Sequence, residues 1–485
     1  MTVVPQEIPH PQGLTALPLV VDLDGTLLRV DTLYELFVLG LFAQPVRTLS
    51  SLFKLKDGIA AFKRRLSEIV QLDVETLPVH EELLAYVKQE AAAGREIHLA
   101  TAAERGVAGA VAGRFPVFRS FHATDQDNLK GPRKAERLKA IFPGGFVYAG
   151  DSRADLPVWR SAKAAIVVSA NPSLSAAVQS AGIPVERTFS KKSRRSGAWL
   201  RALRPHQWAK NLIMLVPVLL GWKEVTFAAL ATTLGMLALL CAVASLTYLV
   251  NDMADLAADR RHWSKRRRPF AAGAIPVRDG LLVVGIALPA ACLLALWISP
   301  PATVCLACYV VVTLGYSFGW KRIPLLDTFI IALLFTLRIL IGIAAANLVP
   351  SAWLLTFSMF FFFSLALAKR HTEILRASEH ALQKLEGRGY QLRDDSLTLT
   401  FGISASMASI VIVVIYLVEE VFARRIYSNP AWLWIAPISI FLFTCRIWAL
   451  AHRGRMTDDP VAFALRDRVS LGLGLLVGVA IVLAL

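Results

Sequence analysis

The sequence predicts a molecule in two parts: an N-terminal α/β domain built on a parallel sheet, then an all-α polytopic membrane domain of about nine transmembrane helices. Three observations predict it. Hydrophobic residues make up 55% of the 485 residues, and the mean hydropathy is +0.53, too apolar for a purely soluble chain. The excess begins near residue 200, after which apolar blocks of roughly 18 to 25 residues, enough to cross ~30 Å of hydrocarbon, follow one another. Before that point, short apolar runs alternate with helix-like stretches, the pattern of a sheet covered by helices.

The first apolar run is "LPLVVDLDGTLL", a short strand leading into Asp22, Asp24, Gly25 and Thr26. Further strands are predicted at "REIHLATAAE", "FVYAGDSRADL" and "AAIVVSA", with helical segments such as "HEELLAYVKQEAAAG" between them. In parallel sheets, function collects at the carboxyl ends of the strands. Asp22 and Asp24, Thr101, and Asp151 and Asp155 all fall there. Between Asp24 and Thr101 lies a long, mostly helical insert, a cap spanning about 30–95. Its stretch "LFVLGLFAQPVRTLSSLFKLKDGIAAFKRRL" is apolar and basic for a surface, which fits either a face leaning on a bilayer or an ordinary helical cap core.

A basic linker, 187–202, joins the domains, and its charge suits anionic headgroups better than a solvated tether. Candidate spans follow at 205–222, 226–250, 277–298, 301–318, 325–347, 351–369, 399–418, 431–451 and 468–485. The first is the weakest, because it opens on the polar "LRPHQWAKN". Loops after even-numbered spans carry Arg260 through Arg268, Lys321 with Arg322, Lys369 to Arg393, and Arg453 to Arg468. Loops after odd-numbered spans are mostly neutral, Arg424 and Arg425 excepted. Basic loops stay in the cytoplasm, so a multi-pass protein of a bacterial-type inner (plasma) membrane with a cytoplasmic N-terminal domain is expected. The opening "MTVVPQEIPHPQGL" lacks the charged start and apolar core of a signal peptide.

The net charge of +16 would point to nucleic acid in a soluble protein. Here it sits largely in membrane loops, so anionic lipid and phosphorylated substrates are expected instead, and no nucleic acid. All five cysteines fall in spans. Cys305 and Cys308 form a CxxC with no second ligand pair, which reads as packing rather than metal or redox chemistry.

The loop after the second span, "NDMADLAADRRHWSKRRRPF", sets Asn251, Asp252, Asp255 and Asp259 ahead of six bases. If the helix continues through it, the three aspartates share one face. Carboxylates gathered at a membrane surface repel one another unless divalent ions lie among them, and Mg²⁺ shared with a diphosphate is the economical explanation. Acids acting as counterions in a basic loop would account for the bases but not for the helical spacing. Arg338 lies inside the apolar "FIIALLFTLRILIGIAA", where a charge costs at least ~2.5 kcal/mol and usually faces a polar cavity. The lesser alternative is a structural pairing with an acid such as Asp327.

With these residues in hand, the first domain resembles the haloacid dehalogenase (HAD) superfamily of phosphatases. DLDGT, the strand ending in Thr101, Lys134 in "LKGPRKAERL" and "GDSRADL" stand in that family's order. The resemblance, over roughly residues 17 to 185 of a domain spanning 1–186, implies a Rossmann-like fold with a helical cap. It implies Asp22 as the nucleophile that forms an aspartyl-phosphate and Asp24 as general acid and base. Thr101 and Lys134 would hold the phosphoryl group. Asp22, the carbonyl of Asp24, and Asp151 would bind Mg²⁺, supported by Asp155.

Residues 203–485 resemble the UbiA-type intramembrane prenyltransferases, whose first aspartate motif matches "NDxxDxxxDR". Their second motif has paired aspartates after the fourth span, where this chain has "YSFGWKRIPLLD" with Lys321 and only Asp327. A subgroup sharing that departure is the decaprenyl-phosphate phosphoribosyltransferase type. It is similar in "LRPHQWAKN", "NDMADLAADRRHWSKRRRPFAAG", "LALAKRHTE" followed by "GRGY", and "AHRGRMTDDPVAFALRDR", although Trp263 stands where the subgroup usually has proline. This likeness implies that phosphoribosyl pyrophosphate, held through Mg²⁺ by Asp252, Asp255 and Asp259, gives its phosphoribose to polyprenyl phosphate. Lys210, Lys265, Arg268, Lys321, Arg338, Lys369 and Arg370 are the candidate phosphate ligands, with Arg204, Gln207, Asn211 and Asn251 lining the site. The segment around Lys369 would also fit a plain snorkelling helix end.

Together the resemblances imply a bifunctional enzyme of cell envelope biosynthesis, which transfers phosphoribose and then removes its 5-phosphate. The competing expectation is a prenyltransferase with a prenyl diphosphate donor and a HAD domain kept for binding or regulation. A homo-oligomer is left open.

Overall fold

The structure is a computed structural model describing residues 17–169, 171–190, 195–379, 389–423, 427–456, 463–464 and 466–485. The chain divides into two compact units. The first comprises the chain up to Leu203 together with Asp252–Leu282, and the second comprises Arg204–Asn251 and Val283–Leu485.

The first unit is built on six strands: β1 (Leu19–Val21), β2 (Ile97–Glu104), β3 (Ser120–Thr124), β4 (Val147–Gly150), β5 (Ala164–Val168) and β6 (Val185–Phe189). All pair in parallel, in the order β3-β2-β1-β4-β5-β6. Alternate side chains enter two different cores. Leu19, Val21, Leu99, Val147, Ala149 and Ile166 pack on one face, while Val20, Ala100, Tyr148, Ala165 and Val167 pack on the other. Burial on both faces explains why these strands read as continuous apolar runs. The order reverses at β1, and this topological switch opens a crevice at the carboxyl ends of β1 and β4.

The cap expected at about 30–95 contains α1 (Thr32–Ala43), α2 (Pro45–Ser51), α3 (Ile59–Ile69) and α4 (Glu81–Ala92). Asp31 caps α1 by accepting from Leu33 N. Helices α5 (Arg105–Arg114), α6 (Pro132–Ile141), α7 (Leu156–Trp159) and α8 (Pro172–Ser180) complete the layers on the sheet, and α9 (Arg195–Leu203) ends this part of the unit. Of the basic linker, residues 191–194 lie outside the described residues.

Among the described residues, seven helices are long and apolar enough to cross a membrane. They contain α11 (Phe227–Ala254), α13 (Val277–Ile298), α14 (Pro300–Phe318), α15 (Leu326–Ala345), α16 (Ala352–Glu379), α17 (Asp395–Tyr416) and α18 (Ile435–His452). Two expected spans differ. Residues 205–222 form a 3-10 segment, Pro205–Leu215, followed by the short α10 (Val216–Leu220). Pro205 and Pro217 each lack an N–H, and the positive φ of 52° at Arg204 turns the chain ahead of the segment. The last, α19 (Arg468–Ala484), has 17 residues, which at ~1.5 Å each falls slightly short of the hydrocarbon thickness. Helix α12 (Leu256–Arg261) follows α11 after a one-residue break at Asp255.

Within the second unit α15 is central, with 67% of its span window buried, against 11% for α13. Leu337, Ile341 and Ala345 pack toward Met236, Leu240 and Leu306, while Phe335, Ile339 and Ile343 pack toward Phe362, Leu365 and Trp448. Gly342 permits a close crossing, since a Cβ there would lie 1.9 Å from the Met214 carbonyl oxygen. Small residues let backbones approach in this way where lipid offers no hydrophobic drive.

Candidate active sites

Asp22 is the first residue after β1, and its N–H donates to Ala149 O on β4, which fixes the acid at the mouth of the switch crevice. Its Oδ1 accepts from Lys134 Nζ at 2.7 Å, and both side chains are buried. Lys134 comes from α6 and also donates to Tyr148 Oη at 2.9 Å and to Ala100 O at 3.3 Å. Burial pushes Asp22 up to about 7 against the pull of Lys134, with Asp155 and Asp151 adding like charge. Burial works against the Lys134 ammonium, but Asp22 and Asp155 more than offset it and raise its pKa.

Asp24 turns to the cap. Thr32, the first residue of α1, donates to it twice, from N to Oδ1 at 2.9 Å and from Oγ1 to Oδ2 at 3.2 Å. Loss of hydration, with like charge from Asp31 and Asp22, pushes Asp24 up to about 8, so this carboxyl keeps its proton near neutrality. Thr101 is buried within β2, three residues before its end, where its hydroxyl accepts from Ala103 N at 2.9 Å.

Carboxylate oxygens of Asp22, Asp151 and Asp155 lie within 4.8 Å of one another, the one such group of three among the described residues. Asp155 is committed to the loop: its Oδ2 accepts from Asp151 N, Ser152 N and Ser152 Oγ, and its Oδ1 from Tyr148 Oη. Asp22 and Asp151 line the crevice with it. Hard, anionic oxygens gathered in a buried site fit a small divalent cation. The carboxylate of Asp24 is held by Thr32; its expected metal contact is through the carbonyl. Gly25 is required here twice over: its φ is +74°, and a Cβ would lie 2.4 Å from Asp151 Oδ2.

These groups line a cavity of about 620 Å³. The sequence reading missed several of its walls. Lys63 of α3 is buried and donates to Asn128 Oδ1 at 3.0 Å and to Ala102 O; burial lowers its pKa. In sequence it opens the triplet "KRR", which reads as a solvated surface, and only its place beside the buried Phe62 and Leu66 separates it from Arg64 and Arg65. Gly273, Ala274 and Pro276 through Asp279 form another wall, contributed by the far segment of the same unit. Nothing local in the sequence signals that.

In that far segment, Arg268 Nη1 lies between two of the expected aspartates, 2.7 Å from Asp259 Oδ2 and 3.1 Å from Asp252 Oδ1. Both acids are buried. Burial pushes Asp259 up to about 6, with Arg268 opposing and Asp252 adding like charge. The expected common helical face is interrupted, because Asp255 sits at the break between α11 and α12, although Asp259 N still donates to Asp255 O at 2.8 Å. Arg268 thus holds a position that a metal ion was expected to share. Lys265 is exposed.

In the second unit, Asn251 Oδ1 accepts from Ser317 Oγ at 3.4 Å and Lys321 Nζ at 3.5 Å. Arg338 is buried in α15, and its partners are neutral: Asn211 Oδ1 at 2.9 Å, Tyr309 Oη at 3.0 Å and Leu334 O at 2.7 Å. The guanidinium also stacks over the rings of Tyr309 and Phe335. The alternative pairing of Arg338 with Asp327 is not what forms. Asp327 instead takes Arg370 Nε at 2.9 Å and Tyr390 Oη at 2.6 Å, and Arg370 also pairs with Glu373. Arg370, expected as a phosphate ligand, is therefore neutralised on two sides and fully buried. Arg204 stacks over Tyr248 and accepts at its carbonyl from Gln207 N. Lys210 and Lys369 are half-buried. Gly387 and Arg388 of "GRGY", and most of "TDDPVAFAL", lie outside the described residues.

A model of the UbiA prenyltransferase family matches residues 212–470, more than half of the chain. "Uncharacterized protein y4nM" of Sinorhizobium fredii is 40% identical over 474 residues, covering 97% of this chain and 91% of its own length. "Nodulation protein NoeC" of Azorhizobium caulinodans is 33% identical over 56% of this chain and 88% of its own length. "Decaprenyl-phosphate phosphoribosyltransferase" of Corynebacterium glutamicum is 34% identical over 56% of this chain and 81% of its own length. The arrangement of both units in one polypeptide thus recurs in a second chain, while the other two relatives each match only part of it. By the extent of the family match, the chain belongs to the UbiA prenyltransferase family.

Proposed function

We propose that this integral membrane protein is a bifunctional enzyme. Its UbiA half transfers 5-phosphoribose from phosphoribosyl pyrophosphate to a polyprenyl phosphate, and its N-terminal unit then removes the 5-phosphate to leave polyprenyl phosphoryl ribose. The observation that carries this reading is the joining of the Asp22–Lys134 crevice, in one chain, to a half that is similar to chains named decaprenyl-phosphate phosphoribosyltransferase. Such a product cannot leave the bilayer, and a tethered second site raises the effective concentration of catalyst around it. The basic loops favour a cytoplasmic first unit.

In the transfer step the ribose C1–O bond to diphosphate breaks and a bond from C1 to a lipid phosphate oxygen forms. The buried cation of Arg338 and the Lys321 ammonium suit the anionic groups that move. Asp252 and Asp259 would hold Mg²⁺ once a diphosphate draws Arg268 away, the ion neutralising the leaving charge.

In the hydrolytic step, Asp22 Oδ attacks phosphorus and the bond to the ribose oxygen breaks. Asp24, protonated at neutral pH by its raised pKa, gives its proton to the leaving alkoxide. Asp24 then takes a proton from water, whose oxygen displaces phosphate from Asp22. Lys134 offsets charge on Asp22 and the phosphoryl oxygens. Mg²⁺ bound at Asp22 and Asp151, where the oxygen donors suit it, would screen the repulsion between carboxylate and phosphate.

The test supplies purified protein with Mg²⁺, phosphoribosyl pyrophosphate and a polyprenyl phosphate, and reads the lipids by mass spectrometry. The expected product is lipid-linked ribose without its 5-phosphate, and Asp22→Asn should accumulate the phosphorylated form. The family's description favours a second reading, with a prenyl diphosphate donor; absence of any ribosylated lipid would select it.

A further inference from the structure

The cap presents a surface whose polarity is inverted. In α2 the buried side chains are the polar Thr48 and Ser51. Their hydroxyls donate to Gln44 O and Thr48 O, and Thr48 packs where Gly40 of α1 leaves room. The apolar side chains point outward instead. Val46 is 79% exposed, Leu49 50%, Leu52 40%, Phe53 72%, Leu55 47% and Ile59 42%, and the 3-10 turn Leu52–Asp57 buries nothing. Single exposed apolar residues are ordinary, but six in one short stretch form a patch that in water would cost solubility.

The charges around the patch are mainly basic. Arg47, Lys54 and Lys56 are exposed beside it, and the acid of the segment, Asp57, is already paired with Lys54 at 2.9 Å. Bases interleaved with outward apolar side chains match an interfacial segment: the apolar groups reach the acyl boundary while the bases stay among anionic headgroups. A second copy docked by two-fold symmetry would set the same bases against themselves. Ile59 also lines the crevice that holds Asp22 and Lys134, so the patch runs to the rim of that site.

We propose that residues 46–59 are a membrane-contact face that seats Val46, Leu49, Phe53 and Leu55 in an anionic bilayer and holds the rim of the Asp22 crevice at the lipid surface. The substrate class that follows is a phosphomonoester carried on a lipid. That last step rests on the phosphatase reading above; the membrane contact does not.

The experiment reconstitutes the full chain in nanodiscs at one copy per disc, in neutral lipid or with about a third anionic lipid, and follows amide exchange in peptides covering 44–59. Slower exchange in anionic discs is expected, and Phe53→Asp should abolish the difference while Phe53→Leu preserves it. Turnover of a disc-borne lipid phosphomonoester should fall about tenfold in Phe53→Asp, with p-nitrophenyl phosphate hydrolysis unchanged. Equal exchange in both lipids, or slowing seen only with two copies per disc, overturns the proposal. So does an equal loss on both substrates. If neither substrate turns over in the parent chain, the phosphatase reading fails while the exchange comparison still decides the membrane contact.

Discussion

Arg260 and Glu35, 225 residues apart in sequence, form a two-pronged ion pair, Nη1 to Oε2 at 3.0 Å and Nη2 to Oε1 at 2.7 Å, with side chains 5% and 2% exposed. Glu35 belongs to α1, the helix whose first residue, Thr32, holds Asp24. The pair therefore fixes the cap helix that positions the proposed general acid.

Arg260→Ala leaves the Glu35 carboxylate buried without its partner, which should cost ~3–5 kcal/mol of stability in the first unit. Hydrogen exchange across 32–43 in the full chain should accelerate, and phosphatase turnover should fall with it. Adding Glu35→Gln should recover part of the loss, as a double-mutant cycle would show.

Gly25→Ala forces a Cβ into Asp151 and a side chain into a left-handed backbone position, a strain of ~1–3 kcal/mol. Displacement of Asp151 should weaken Mn²⁺ binding by the full chain, read by titration calorimetry, and cut phosphatase turnover about 100-fold. Transfer of label from phosphoribosyl pyrophosphate to lipid should be unaffected.

Arg338→Lys keeps the charge but loses the planar fork that reaches Asn211, Leu334 and Tyr309 together. Incorporation of labelled ribose into lipid should drop about 100-fold. Hydrolysis of p-nitrophenyl phosphate should remain, which separates a transferase defect from global misfolding.

Acid should loosen the sheet edge. His98 on β2 and His122 on β3 share Ser120 Oγ, and burial lowers the pKa of each below the ordinary 6.5. The native state therefore binds fewer protons than the unfolded chain, so stability is present above about 6.5 and declines as pH falls below it. Exchange of β2 and β3 amides between pH 7.5 and about 5.5 should quicken more than local chemistry explains, and His122→Asn should reduce the effect.

Local features of the fold were readable in the sequence. The runs around Leu19–Val21 and Val147–Gly150 announce strands, and the acids after them must stand at strand ends, because chain direction alone dictates it. The reading of the first candidate span failed for an equally local reason, as Pro205 and Pro217 outweigh its apolar content. What escaped was distant pairing. Arg370 reads as a free base until Asp327 and Tyr390 are brought to it, and the partner that sequence offers Arg338, Asp327, gives way to Asn211, 127 residues away. Lys63 and the Gly273–Asp279 wall lie beside Asp22 only because the cap and a remote segment fold onto one sheet.

The division of the chain at Leu203, Asn251 and Leu282 bears on how such a protein can be cut or inherited. A fragment ending at residue 203 would strand Glu35 and open one side of the Asp22 cavity; a fragment beginning there would carry Arg260 and Gly273 with nothing to receive them. Where both units share one polypeptide, the two sides of this lock lie in different genetic intervals, so change around Glu35 is expected to constrain change around Arg260.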